Sequence, residues 1–397
     1  MRRLFSYLSI LSFVLLCTTN AFSQGKLDYV DSLKKRLDTT RAVDAKVKLL
    51  VDVIGVTFDR ANEERYAEQA IELAEESRDQ RLIAQAYLGI GRHFMSNSSL
   101  ADNLDQATKN YTLAEGVAKE NGLEDLQVQV YCGMSDIWHN RGDDAKALSF
   151  CTQALAIASG IDNDSAKTRA YGAMGYVYMS MNQMLLALRN YLSELDVAEK
   201  SGNDWLMRNA YIDLYEFYRN IGENDKAIDY RMKSYALDLK MWDTNVTADL
   251  NALGDLYLRK DQPLLAEKMY NRSMLMADTF HFSLLRTNAY SRMFLLYLKT
   301  RQYKRGLEYL LAQVQMLKVL RAAGFDFYLD ELMAVNYTQQ GKYDSAYFYF
   351  RRAEPEAVTR WVPENRFDFF MEFGDYFKKV KNPWQAIVYC NKAYALA

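Results

Sequence analysis

The residues best suited to chemistry in this sequence are three histidines and four cysteines, and their spacing argues against a reaction centre. His93, His139 and His281 fall in separate stretches of the chain, without the clustered Cys or carboxylate partners that metal ligation needs. No glycine-rich phosphate loop and no nucleophile elbow is present. Cys132, Cys151 and Cys390 are too few and too odd in number for a disulfide framework, and read as buried thiols. The pairs Glu63–Glu64 and Glu75–Glu76 read as solvated helix faces. No catalytic residue, no cofactor and no metal is therefore expected, and the chain is not read as an enzyme.

What the sequence does contain is a repeated frame of packing residues. A small residue is followed three positions later by an aromatic, then by Ala at twelve, an aromatic at sixteen and a small residue at nineteen. Ser135, Trp138, Ala147, Cys151 and Ala154 follow this frame closely, with Gly142 between the two halves. Gly175, Tyr178, Ala187 and Tyr191 repeat it, as do Tyr215, Tyr218, Gly222 and Ala227, then Gly254, Tyr257, Ala266 and Tyr270. Phe294, Tyr297, Gly306 and Leu310 come next, followed by Ala334, Tyr337, Gly341, Ala346, Phe350 and Ala353, and by Gly374, Phe377, Ala386, Cys390 and Ala393. Upstream, Gly55, Phe58, Ala67, Ile71 and Ala74 fit. So do Gly91 and Phe94 with Ala107, Tyr111 and Ala114, after about four extra residues around Ser96–Leu100. That polar cluster reads as a loop, either a tolerated insertion or a partner contact.

Such a frame needs pairs of antiparallel helices. Small residues sit where the helices cross, and aromatics fill the space on either side. One hairpin cannot bury its apolar face alone, so successive hairpins must stack. Only four prolines in 397 residues suit long helices, and the 29 tyrosines are accounted for as knobs between them.

This pattern resembles the tetratricopeptide repeat, over nine units from about Asp44 to the end. The resemblance implies an all-α fold, a right-handed α-α superhelix with a concave groove lined by the first helix of each unit. From Ser135 the anchors recur every 39 or 40 residues, longer than the family's usual period. The extra residues lie between hairpins and predict longer helices there, with Gly122, Gly160 and Gly202 marking the turns. This longer form resembles arrays in bacterial peptide-sensing regulators and in exported Bacteroidota sensors.

The family's groove positions fall on particular residues. They are Gln129, Cys132, Asp136, His139 and Asn140 in the third unit, and Arg169, Tyr176 and Met179 in the fourth. The fifth gives Asn209, Ile212, Glu216, Arg219 and Asn220, and the sixth Asn251, Asp255 and Arg259. Asn288 and Ser291 follow in the seventh, then Tyr328, Glu331 and Gln339 in the eighth. An Asn amide both donates and accepts, so it can pair with any peptide backbone. A guanidinium grips a carboxylate in bidentate fashion. The resemblance thus implies a groove for a protein or peptide partner, or for an acidic ligand. The same residues would also serve simply to keep a concave face solvated. The aromatic run Tyr347–Phe350, with Trp361, Phe367, Phe369 and Phe370, reads either as packing between units or as a contact surface.

The N-terminus carries a separate signal. Arg2 and Arg3 precede an apolar run from Leu4 to Cys17, and Ala21 and Ser23 are small residues at peptidase-readable positions. Residues 1–23 are expected to be a secretory signal cleaved after Ser23, which makes the mature protein periplasmic or secreted. Lipidation at Cys17 is disfavoured by the bulky Leu16 before it. Residues 24–43 are expected to form a lead helix, on the spacing of Leu27, Val30, Leu33 and Leu37, and 44–397 the solenoid. No later segment is apolar enough to span a bilayer. Lys plus Arg is 49 and Asp plus Glu is 51, so bulk charge offers nucleic acid nothing. Ala397 falls partway along a second helix with no polar cap after it. A further segment or a partner would cover that end, and a sensor portion of a larger signalling protein is the alternative to a free-standing receptor.

Overall fold

The computed structural model describes residues 35–54, 60–96, 101–280, 283–319, 326–360 and 363–396. Residues 35–39 are helical, inside the span expected for the lead helix. The remainder of that span and the signal region lie outside the described residues, as do Gly55 and Phe58. Everything regular among the described residues is helix.

Among the described residues, nine hairpins follow in order. α1 (Val43–Ile54) pairs with α2 (Arg60–Ser77), α3 (Gln80–Ser96) with α4 (Ala101–Glu120), and α5 (Glu124–Asn140) with α6 (Asp144–Gly160). α7 (Asp164–Ser180) pairs with α8 (Met184–Ser201), and α9 (Asp204–Asn220) with α10 (Asn224–Met241). α11 (Val246–Arg259) pairs with α12 (Pro263–Thr279), α13 (Ser283–Lys299) with α14 (Tyr303–Val319), α15 (Asp326–Gln339) with α16 (Tyr343–Arg360), and α17 (Pro363–Lys379) with α18 (Pro383–Tyr394). Each helix packs most extensively on its hairpin partner, and within each compact unit successive hairpins pack on one another.

Backbone contacts divide the chain into two compact units. One is Asp28–Asn245, which holds α1–α10, and the other contains Val246–Ala397 and holds α11–α18. Nothing in the repeat marks this boundary, since Tyr215 and Gly254 keep the common spacing. The 40-residue period is visible directly: α5 and α6 have 17 residues each, and three-residue turns separate α5, α6 and α7.

The frame residues meet as their volumes require. A side chain on Gly175 would start 2.6 Å from the Tyr191 ring, and one on Gly254 would start 2.3 Å from Tyr270. The Tyr111 ring is wedged between Gly91 and, in the next hairpin, Gly133, at 2.7 and 2.5 Å from where their Cβ atoms would be. In the third unit, where Cys151 stands at sixteen, the anchor is the larger Ser135. Ser135 Oγ lies 3.0 Å from Cys151 Sγ. The fifth unit departs from the frame, with Tyr215 as anchor and the Arg231 guanidinium 4.7 Å from its ring centre.

The turns within hairpins share one device. The third turn residue donates its N–H to the carbonyl of the frame aromatic, as in Asp143 to Trp138 (2.9 Å), Gln183 to Tyr178 (2.8 Å) and Gln302 to Tyr297 (2.8 Å). The middle residue must then adopt positive φ. Gly142, Gly222 and Gly341 do so freely, whereas Asn182, Asp261, Arg301 and Lys381 do so at φ near 60°. Between hairpins, Gly122 and Gly202 take positive φ, while Gly160 is the last residue of α6 and extended Ile161 follows it. Asn163 and Asn203 cap α7 and α9, accepting from the N–H groups of Ala166 (3.0 Å) and Trp205 (2.9 Å).

The aromatic run at the end is mostly packing. Phe350 is fully buried and stacks on Phe373 at 4.5 Å, and Tyr349 stacks on Tyr337 at 5.6 Å. Phe369 and Phe370 are buried with them, whereas Phe348 is exposed. Trp361 lies outside the described residues. No helix among the described residues is long and apolar enough to cross a membrane.

Candidate functional site: a cavity across α5, α7 and α9

Three successive first helices, α5, α7 and α9, border a cavity of about 450 Å³. Asp136, Arg169, Tyr176 and Asn209 line it, together with Cys132 and Ile212. Six groove positions drawn from three different units thus converge on one place. They do so because the helices stack in register, which sets equivalent positions side by side.

The other expected positions in this unit are spent on local contacts. Gln129 accepts a hydrogen bond from the Arg92 guanidinium. His139 Nδ1 lies 2.7 Å from Asp144 Oδ1, across the turn to α6, and its ring meets the edge of Tyr176 at 5.3 Å. Asn140 donates to the carbonyl of Asp136 in its own helix at 2.8 Å. Glu216 accepts from Arg219 Nε at 2.8 Å, and Asn220 is exposed at the end of α9. A second histidine, His93, has Glu63 Oε1 at 3.7 Å from its Nε2. His281 lies outside the described residues.

The remaining expected residues belong to the other compact unit and join a different set of contacts. Asn251 is only 4% exposed. Its place on α11 turns inward because that helix is buried along most of its length. Asp255 accepts from the Tyr270 hydroxyl at 2.7 Å and pairs with Arg292 Nη2 at 3.1 Å. It ties α11 to α12 and α13. Arg259 ends α11, and Asn288 is half-buried on α13.

The floor of the cavity holds a feature that groove positions do not mark. Glu194 of α8 and Asp213 of α9 both line it. Glu194 is 4% exposed, and its Oε2 has no hydrogen-bond acceptor or donor partner other than what a shared proton can provide. Glu194 occupies the nineteenth frame position, where Ala74, Ala114, Ala154, Ala353 and Ala393 stand in other units. The middle units replace that small residue by Glu194, Ser234, Ser273 and Gln313, all buried. A charged residue at a frame position reserved for alanine was the readable signal.

Electrostatics follow from this burial. Desolvation pushes the Glu194 carboxyl well above its ordinary range, and the neighbouring Asp213 charge and hydrogen bond push it further. Asp213 is raised to about 6, again mainly by burial, with Glu216 adding and the Glu194 hydrogen bond opposing. Burial beside Asp213 thus favours the protonated form of Glu194. Asp136, which also lines the cavity, is likewise raised to about 6 by burial, against the pull of His139 and Arg169. Arg208 turns elsewhere: its Nε lies 3.0 Å from Asp238 Oδ1, and its Nη1 donates to Asn209 at 3.0 Å.

No family model matches the chain, and no curated protein matches it. Solved structures do share its fold. A signal-transduction ATPase with a tetratricopeptide repeat sensor, from Pyrococcus horikoshii, superposes with a TM-score of 0.58 at 14% identity, over 90% of this chain and 53% of that one. This chain thus spans about half the length of that protein. The apo form of RapI gives 0.57 at 14% identity, over 92% of this chain and 97% of that one. Aspartyl phosphate phosphatase F from Bacillus subtilis gives 0.55 at 13% identity, over 89% and 94%. The fold is a helical solenoid of the tetratricopeptide type.

Proposed function

We propose that this protein is a receptor or scaffold that binds a peptide or protein segment at the cavity bordered by α5, α7 and α9. The observation that carries the reading is the convergence of Asp136, Arg169, Tyr176 and Asn209 on that one cavity. Such a wall offers an amide for backbone pairing, a guanidinium for a carboxylate and an exposed ring for apolar contact. A Rap protein of the same fold has been solved in complex with competence and sporulation factor, with a TM-score of 0.52 to this chain. That precedent supports ligand binding by analogy of fold.

The N-terminal pattern adds that the protein acts after export. On this proposal the mature chain begins at Gln24, and N-terminal sequencing of protein secreted by a bacterial host tests it. Binding is tested by an array of short random peptides probed with the mature chain. Asn209→Ala and Arg169→Ala should each weaken binding of the selected peptides, and Asn288→Ala should not. Peptides that bind equally to all three variants would place recognition elsewhere.

A second reading makes the chain the sensor portion of a signalling protein. Its support is the Pyrococcus horikoshii ATPase, whose repeat region is described as a sensor and whose length is nearly twice the region matched.

A further inference from the structure

The carboxyl pair at the floor of the cavity calls for a ligand of a particular chemistry. Buried acids cost stability unless paired, and nothing in the packing of α8 requires one at Glu194, where five other units place alanine. The helix above it has lost its side chain at the matching place. A Cβ on Gly172 of α7 would lie 3.1 Å from both Glu194 Oε2 and Asp213 Oδ2. The two oxygens therefore converge beneath a glycine that also lines the cavity.

The charged groups around the pair are otherwise engaged. On α9, Arg208 is held by Asp238 and Asn209, and Glu216 accepts from Arg219. From α10, the Arg231 guanidinium lies over the Tyr215 ring. On α7, Arg169 acts on Asp136 across the cavity, and Tyr176 is an exposed wall. On α8 itself, the hydroxyl of Tyr191 is kept neutral by its burial. Two carboxyls that converge beneath Gly172, with each other as neighbours, thus line the space that a ligand would enter.

We infer that the Glu194–Asp213 pair, beneath Gly172, is a recognition site for a primary ammonium group on the ligand, either a peptide N-terminus or a lysine side chain. This rests on the reading of the cavity as a peptide site, and it names the group that anchors the peptide. In the free protein the pair holds one proton between two carboxyls. An incoming ammonium donates to both oxygens, and the shared proton leaves to solvent, so the neutral balance is one cation bound for one proton released. Binding should then strengthen as pH rises, because fewer protons have to be displaced.

The experiment is calorimetric titration of the full mature chain at neutral pH, in two buffers of different ionisation enthalpy. The probes are triglycine amide, N-acetyl-triglycine amide and N-acetyl-lysine amide. Acetylating the triglycine amine should weaken binding by about tenfold or more, the worth of a charge-assisted hydrogen bond. The amine probes should release up to one proton each, and the stronger of the two identifies the source of the ammonium. Glu194→Gln keeps the shape and the hydrogen bond of the protonated acid, and should bind more weakly with no proton release. Asp213→Asn is the second variant, should the first misfold. Equal binding of the free and acetylated peptides, or unchanged proton release in both variants, overturns the inference while leaving peptide binding intact. Failure of every amine probe to bind also overturns it, and the peptide array then decides the wider reading by itself.

Discussion

The Tyr191 ring fills the space that any side chain on Gly175 would need, 2.6 Å from the position of the absent Cβ. The contact joins α7 to α8 at their closest crossing, sixteen residues apart in sequence. Neither partner has freedom to move, because Tyr191 is itself buried and its ring meets Phe217 of α9. Gly175→Ala should therefore lower stability by roughly 1–3 kcal/mol, the usual cost of overpacking. Gly116→Ala is the matched control. It lies inside α4 with open space around it, and alanine there should add about 0.5–1 kcal/mol. Urea unfolding of both variants reads the difference, and a neutral Gly175→Ala would show that the hairpin can part.

The hairpin turns give a prediction of the opposite sign. Arg301 and Lys381 hold positive φ with an ordinary side chain, a conformation that costs roughly 1 kcal/mol outside glycine. Glycine already fills the same place at Gly142, Gly222 and Gly341. Arg301→Gly and Lys381→Gly should each stabilise the protein slightly, by about 0.5 kcal/mol, the relieved strain less the chain entropy that glycine adds. Thermal unfolding checks this, and a lower midpoint in both would refute it.

Asp255 should be among the most sensitive polar positions of its compact unit. It pairs with Arg292, whose side chain is 9% exposed, and accepts from Tyr270. Asp255→Ala leaves a buried guanidinium uncompensated, at a cost of about 3–5 kcal/mol. Adding Arg292→Met should recover much of that loss, since it removes the stranded charge. A double-mutant cycle in urea measures the recovery, and purely additive losses would mean that the pair is not coupled.

The cavity acids set a pH dependence. Asp213 and Asp136 have folded-state pKa values raised to about 6, from an ordinary value of 3.8, and burial raises Glu194 well above its own ordinary value. The folded protein thus binds more protons than the unfolded chain across this window. Stability should fall as pH rises from about 4 towards 6 and beyond, by up to about 1.4 kcal/mol per unit for each group. Asp213→Asn should flatten this slope relative to the parent protein. Chemical unfolding at pH 4, 5, 6 and 7, each pH chosen to bracket roughly those values, compares the two. A parallel pair of curves would show that Asp213 ionises as freely folded as unfolded.

The hairpin pattern was legible in the sequence because its packing is local. Gly175 and Tyr191 meet within one hairpin, so a fixed interval of sixteen residues records their contact. The cavity walls were legible too, since equal positions on α5, α7 and α9 repeat with the period, and Asp136, Arg169 and Asn209 fall there. The residues at the floor were less so. Glu194 broke the frame visibly, but its meaning depends on Asp213 from the next hairpin and on the side chain that Gly172 lacks.

The sequence by itself determined the helices, their pairing into nine hairpins and the spacing that stacks them, because small and large residues at set intervals leave one way to pack. Only the tertiary structure decided which groove residues act together. It buried Asn251, tied Asp255 to Arg292, divided the array after Asn245, and brought two acids from neighbouring hairpins together beneath Gly172. Burial and charge coupling depend on what stands across the gap between helices, and no interval along the chain encodes that.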